Sequence, residues 1–190
     1  MEQSERKVIK ETLKVLESGR VFLYPTDTIW GIGCDATDQT AVEKVYKIKK
    51  RPDSKSLIIL VDAMDMLQQY VSKVPKEIEN ILKTATKPTT VIYKHPNRLA
   101  PNVIAADDTV AIRIVQNDFC KALIREFGSP IVSTSANFSG QPSPGSFDEI
   151  DPLLLKHVDY IVNLPAVESK NTASQIIKVG DHGEIEYIRK

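Results

Sequence analysis

Sulfur, histidine and net charge are all scarce in this chain, and each shortage closes off a class of function. The 2 cysteines, Cys34 and Cys120, form no CxxC pair and are too few for a disulfide framework. A disulfide-stapled secreted scaffold is excluded, and a reducing cytosol fits. The 3 histidines, His95, His157 and His182, lie far apart without HExxH or a Cys/His zinc spacing, so no transition metal held mainly by protein is expected. No stretch approaches the ~18 consecutive apolar residues of a bilayer span, and residues 1–10 carry charges where a leader would carry an apolar core. Neither a membrane span nor export is expected, and a cytoplasmic location follows. Lys plus Arg total 25 and Asp plus Glu total 25, so no global field draws the chain to nucleic acid or membrane. Any anion binding must be local.

Familiar phosphate and nucleophile motifs are missing as well. There is no GxxxxGK[ST] loop, and Ser135 lacks the GxSxG setting of a hydrolase nucleophile. Residues 31–36, Gly-Ile-Gly-Cys-Asp-Ala, formally fit GxGxxA, but the first glycine stands well beyond the strand end and the next helix starts only at residue 38. Tight backbone packing around a substrate suits these glycines better than a dinucleotide fingerprint. With no repeat, low-complexity tract or long linker, residues 1–190 read as one domain.

The residues present support a mixture of helices and strands. Ile9, Leu13 and Leu16 share a helical face over residues 5–18, and Gly19 ends it. Residues 21–24 read as a short buried strand, followed by a polar loop over 26–38. Asp38 is placed to cap a helix that must end before Pro52. Residues 57–61 are apolar throughout, as in a strand buried on both faces. Helices fill 63–85, further strands fall at 91–93, 110–115, 130–132, 160–162, 176–179 and 185–188, and helices start at Asn117 and at the Ser146-Phe147-Asp148-Glu149 capping box. About eight strands and five helices without strict alternation predict an α/β fold with a twisted, mixed, partly parallel sheet flanked by helices.

Two segments stand out chemically. Between residues 44 and 55 there are 6 basic residues against one acid, Asp53. Lysines at a helix C-terminus favour the macrodipole, which accounts for Lys44 and Lys47 as a solvated helix end. Lys49, Lys50 and Arg51 instead meet a helix-breaking proline just before a buried strand, which aims them at a sheet edge. The second segment, Ser133-Thr134-Ser135-Ala136-Asn137, follows an apolar strand and offers several small hydrogen-bonding groups where an ordinary turn is the alternative.

These segments, in this order, carry a family resemblance. Tyr24-Pro25-Thr26-Asp27-Thr28, Gly31-Ile32-Gly33, Lys49-Lys50-Arg51-Pro52, Thr109-Val110-Ala111-Ile112-Arg113 and Ser133-Thr134-Ser135-Ala136-Asn137-Phe138-Ser139-Gly140 resemble the YrdC/TsaC family of threonylcarbamoyl-AMP synthases across nearly the whole chain, in its short single-domain form. The resemblance implies a YrdC-like sheet with a central concave ligand cavity. It implies a nucleotidyltransferase that joins L-threonine, bicarbonate and ATP into threonylcarbamoyl-AMP, releasing pyrophosphate, for the threonylcarbamoyl modification of an adenosine in tRNA by downstream transferase machinery. Mg²⁺ is expected with ATP, held mainly by phosphates and water, with Asp27 as an aide or a turn residue.

By the same resemblance Lys49 and Arg51 would be catalytic and would bind ATP together with Thr109, Ser135, Asn137, Ser143 and Arg189, while Thr28, Arg113, Ser133 and Ser174 would hold threonine. Several positions depart from the family pattern. Thr86-Lys87-Pro88-Thr89-Thr90 stands for Pro-Gly-Pro-Leu-Thr, Lys55 and Leu60 stand for an asparagine and a histidine, and Ser174-Gln175-Ile176-Ile177-Lys178 stands for Ser-Thr-Val-Val-Asp. Lys55 would add a charge near the phosphates.

The chemistry matches these residue types. A carboxylated amine and an α-phosphate are both anionic, so cations must offset their repulsion. Arg113 can grip a carboxylate with a bidentate fork. A carbamate decomposes in water, so a lid is expected, with residues 139–146 and the segment from Ser169 as candidates. The main alternative is an RNA-binding protein, double-stranded RNA included, that uses the same positive cavity without synthesis. A carbamoyl-adenylate site of the hydrogenase-maturation kind ranks below it, because the zinc-finger and acylphosphatase-like segments are missing.

Overall fold

The structure is a computed structural model that describes residues 3–26, 28–50, 57–164, 174–180 and 184–189. In chain order the elements are α1 (Gln3–Glu17), β1 (Phe22–Tyr24), β2 (Gly31–Asp35), α2 (Gln39–Lys49), β3 (Ile58–Val61), α3 (Met64–Tyr70), α4 (Lys76–Thr84), β4 (Thr89–Lys94), β5 (Thr109–Ile114), α5 (Asp118–Phe127), β6 (Ile131–Ser135), α6 (Pro152–Leu155), β7 (Tyr160–Ile161), β8 (Gln175–Val179) and β9 (Ile185–Arg189).

Local chemistry explains several boundaries. The Asp38 carboxylate accepts from the Thr40 and Ala41 N–H groups and starts α2, and the Asn117 side chain accepts from Cys120 N–H and starts α5. α1 buries Ile9, Thr12, Val15 and Leu16, and leaves Leu13 only half-buried. Thr12 fits an apolar face because its hydroxyl donates to the Val8 carbonyl at 2.8 Å.

The nine strands among the described residues form one sheet in the order β7-β1-β2-β6-β3-β5-β4-β8-β9. The pairs β1–β7, β3–β5 and β4–β8 are parallel and the other neighbours antiparallel, so the predicted mixed sheet is present. Helices α1, α3 and α5 pack on it, α1 against β1 and β2, α3 against β3 and β5, and α5 against both α1 and β3.

Register divides the sheet into two chemically different faces, because directly paired residues project to the same side. One row, Cys34, Val132, Ile59, Ile112, Val91 and Ile177, is apolar and buried throughout. The neighbouring row on the other face runs Gly33, Ser133, Ile58, Ala111 and Ile92. Small and polar side chains there leave the sheet surface hollow.

Three expectations need correction. Residues 31–35, read as part of a polar loop, form β2 in the middle of one half of the sheet. Glycine weakens the strand signal, yet a Cβ on Gly33 would stand 2.8 Å from Tyr24 Cε1 and 2.9 Å from Phe22 Cε1 and Cζ. The tilted ring pair of Phe22 and Tyr24, 4.7 Å between centroids, occupies that space, so β2 needs glycine there. Secondly, the hydroxyl run is not a loop, because β6 continues through Ser135. Cross-strand pairing with β2 outweighs the turn preference of serine.

Thirdly, the helix expected from Ser146 is only a 3₁₀ turn over Phe147–Glu149, followed by the four-residue α6. Glu149 does reach back, accepting from Gly145 N–H at 2.7 Å and from the Ser146 hydroxyl at 3.3 Å, but Pro152 forces Asp151 out of helical geometry and splits the segment.

Candidate active site

A cleft of about 400 Å³ opens on the hollow face of the sheet. That size lies within the usual range for small-molecule sites. Its floor is Ile58, Ala111 and Ile92 from three adjacent strands, with Ile176 of β8 beside them. Polar groups ring this floor. Ser133 and Ser135 come from β6, Arg113 from β5, Ser174 from the start of β8, Arg189 from β9, and Thr26 and Thr28 from the turn after β1. Two guanidiniums and no carboxylate line the cleft among the described residues.

The walls are tied together by hydrogen bonds. The Thr26 hydroxyl donates to the Ile29 carbonyl at 2.7 Å and accepts from the Thr28 and Ile29 N–H groups, which shapes the turn that presents Thr28. Ala136 N–H donates to the Trp30 carbonyl at 3.0 Å, joining that turn to the end of β6. Trp30 also lines the cleft and packs against Phe147 with ring centroids 5.1 Å apart, which anchors the far end of residues 139–146. Within that segment Ser143 reaches the cleft. Arg189 Nε donates to the Ser174 carbonyl at 2.8 Å, so β9 is clipped to the start of β8.

Of the residues predicted from sequence, Thr28, Arg113, Ser133, Ser135, Ser143, Ser174 and Arg189 therefore converge on one cavity. Lys49, Asn137 and Thr109 do not line it. Lys49 is 2% exposed and turns inward, its ammonium donating to the backbone carbonyls of Ser135 and Asn137. The left-handed Lys50, φ 50°, ends α2 immediately after it, and Ser139 N–H donates to the Lys49 carbonyl at 2.8 Å. Lys49 thus grips the serine-rich segment from both its side chain and its backbone. The Asn137 amide nitrogen donates to the Phe138 and Gln141 carbonyls and is engaged in its own turn. Thr109 lies at the start of β5 on the same face as Ala111, one pair beyond the floor, with its hydroxyl donating to Asp107 at 2.6 Å. That bond, with Lys178 nearby, holds the Asp107 carboxyl below its ordinary range.

Arg51 and Lys55, and with them Asp27 and the segment 165–173, lie outside the described residues. Sequence reasoning missed Thr26, Trp30 and the apolar floor. The floor was legible in principle, since Ala111 must share a strand face with Arg113, whereas Trp30 carries no local signal.

A larger hollow, about 630 Å³, lies at the other end of β4, lined by Lys73, Lys76, Glu77, Tyr93 and His95 among others. None of the predicted residues is there. Among the described residues no cluster of three His, Cys, Asp or Glu side chains is arranged to hold a metal ion, and no helix is long and apolar enough to cross a membrane.

Comparison with known proteins gives consistent results. The Sua5/YciO/YrdC family, described as telomere recombination, matches residues 14–190. A protein of Pseudoalteromonas translucida (strain TAC 125) named threonylcarbamoyl-AMP synthase is 33% identical over 185 residues, covering 96% of this chain and 98% of that protein. The crystal structure of P. abyssi Sua5 complexed with L-threonine superposes with a TM-score of 0.83 at 26% identity, covering 92% of this chain and 51% of that one. The present chain thus spans about half the length of that protein. E. coli YciO, at 24% identity and TM-score 0.82, covers 98% of this chain and 89% of its own, and shares the fold.

Proposed function

The chain belongs to the Sua5/YciO/YrdC family, and from that membership we propose that it is a threonylcarbamoyl-AMP synthase acting on L-threonine, bicarbonate and ATP. The observation that carries this reading is the cleft itself, where Arg113 and Arg189 stand among hydroxyls with no carboxylate among the described lining residues. Such a site suits anionic substrates, and among its described lining residues no histidine, lysine or carboxylate stands by to activate a hydroxyl as a nucleophile, which matches a reaction between two bound anions.

In the proposed reaction the threonine amine takes up CO₂ derived from bicarbonate and loses a proton to become a carbamate. A carbamate oxygen then attacks the α-phosphorus of ATP, the bond from that phosphorus to the bridging oxygen breaks, and pyrophosphate leaves. Arg113, 4% exposed and rigid within β5, would hold the amino-acid carboxylate through two parallel N–H donors. Ser133, Thr28 and Ser174 would orient the rest of the amino acid. Ser135, Ser143 and Arg189 would face the nucleotide, and Arg51 and Lys55 would add positive charge from the basic segment that follows α2. Lys49 would act by holding the Ser135–Asn137 backbone in place. Trp30 and the 139–146 segment would limit water access to the carbamate.

Magnesium would accompany ATP, and the neutral hydroxyl oxygens of the cleft suit an ion that arrives already held by phosphates. Its part is to neutralise phosphate charge. The product would pass to the transferase machinery that modifies tRNA, in a cytosolic setting consistent with two buried free thiols.

The test is mass detection of threonylcarbamoyl-AMP, with pyrophosphate release, after mixing the protein with ATP, L-threonine, bicarbonate and Mg²⁺ and no RNA. Release that depends on both threonine and bicarbonate supports the reading. Absence of the product across a range of magnesium concentrations and pH would return the chain to the alternative of an RNA-binding protein that uses the same positive cavity without synthesis.

A further inference from the structure

Thr90 is fully buried on β4, on the same side of the sheet as Arg113, with which it is directly paired across β5. Its hydroxyl lies 2.8 Å from the Ser174 hydroxyl. That is its one side-chain hydrogen bond among the described residues. Ser174 is in turn held by Arg189, through Nε to its carbonyl and through Nη2 to its hydroxyl oxygen at 3.4 Å. Thr90 therefore sits between the cleft's buried guanidinium and a hydroxyl that lines the cleft.

The proton count sets the direction of this pair. A hydroxyl carries one donor and two acceptor sites. If Ser174 donated to Thr90, the Thr90 proton would be enclosed with no acceptor among the described residues, and burying an unpaired donor is costly. With Thr90 donating instead, Ser174 accepts from Thr90 and from Arg189 Nη2, which fills both of its acceptor sites. The Ser174 proton is then left to donate, and the side on which Ser174 borders empty space is the cleft.

We infer that Thr90 is a positioning residue that fixes Ser174 as a hydrogen-bond donor toward the carboxylate of the bound amino acid, alongside Arg113. This rests on the reading of the cleft as an amino-acid site. A carboxylate is acceptor-only, so a serine locked as donor favours it and disfavours a ligand that presents an N–H at the same place. Thr90 acts through Ser174 and touches no substrate.

The experiment is calorimetric titration of L-threonine into the full chain and into Thr90→Val, Thr90→Ser and Ser174→Ala variants, with unfolding midpoints measured for each. Thr90→Val keeps the shape and removes the donor, and is expected to weaken binding about tenfold. Thr90→Ser is expected to bind within roughly twofold of wild type, and Thr90→Val is expected to add nothing to Ser174→Ala, since both act on one hydrogen bond. If Thr90→Val does not fold, Thr90→Cys replaces it, because a thiol of similar size is a weak donor. Wild-type affinity in the Val or Cys variant overturns the inference. So does a Thr90→Ser variant as weak as Thr90→Val, which would assign the effect to methyl packing. Failure of the wild-type chain to bind threonine overturns the amino-acid reading and this inference with it, an outcome distinct from binding that ignores Thr90.

Discussion

The Lys49 ammonium donates to the backbone carbonyl of Asn137 at 2.7 Å, so the basic end of α2 holds the Ser-x-Asn segment from beneath. The two motifs that stand 88 residues apart in sequence are joined by this contact. The ammonium also donates to the Ser135 carbonyl, so it ties the end of β6 to the end of α2.

Replacing Lys49 by methionine is therefore expected to harm both stability and activity. Two carbonyls would lose a charged donor, and each such bond contributes about 1.5–3 kcal/mol. A lower urea midpoint accompanied by loss of product formation is expected. Retention of the wild-type midpoint would show that the bonds contribute little.

Arg113→Lys is expected to raise the apparent KM for threonine by about tenfold or more while leaving that for ATP near wild type, because lysine cannot form the two parallel bonds of a guanidinium. Steady-state pyrophosphate release against each substrate separates the two. An unchanged threonine dependence would remove Arg113 from the carboxylate role.

Gly33→Ala tests the aromatic packing that makes β2 a glycine strand. The new methyl would meet Phe22 and Tyr24 rings that are fully buried and cannot swing away. A loss of about 1–3 kcal/mol is expected from overpacking. Gly31→Ala meets its nearest neighbours only at 3.2 Å and beyond, so its effect on the unfolding midpoint should be smaller. Equal midpoints for the two variants would contradict this account.

Cys34 supplies a pH dependence. Burial, then the carboxylates of Asp35 and Asp38, push its thiol well above the ordinary value. Folding thus holds the proton more tightly than the unfolded chain does, so this contribution is complete below the ordinary thiol value, roughly pH 8.5, and is lost as pH rises from there toward the native value. Urea midpoints between about pH 8 and 9.5 should fall in wild type and fall less in Cys34→Ala. Equal slopes would assign the alkaline loss to other groups.

Arg51→Ala is expected to lower turnover by about 10² or more, if Arg51 supplies the charge stabilisation proposed for it. Single-turnover measurement with saturating ATP and threonine checks it. Near-normal turnover would remove Arg51 from the reaction.

Much of the fold was legible locally. Asp38 and Asn117 announced the starts of α2 and α5 because a cap is a contact between residues only two or three apart. The strands rich in branched residues were found for the same reason, since their propensity resides in their own side chains. β2 was not, because its glycines serve the rings of a neighbouring strand. The split of the segment after Ser146 was missed because a proline downstream outweighed a sound capping signal.

By itself the sequence determined the mixed α/β class, the cap positions, the absence of disulfide and membrane-span patterns, and the identity of the residues able to bind anions. The first three follow from composition and short-range periodicity, and the last from the ordered motifs that carry the family resemblance. Only the tertiary structure decided that Arg113, Ser133, Ser174 and Arg189 share one cleft, that Lys49 points inward, and that Thr90 stands behind Ser174. The physical reason is strand register. Pairing across the sheet fixes which alternate side chains face the helices and which face the cleft, and that pairing is made between residues far apart in the chain.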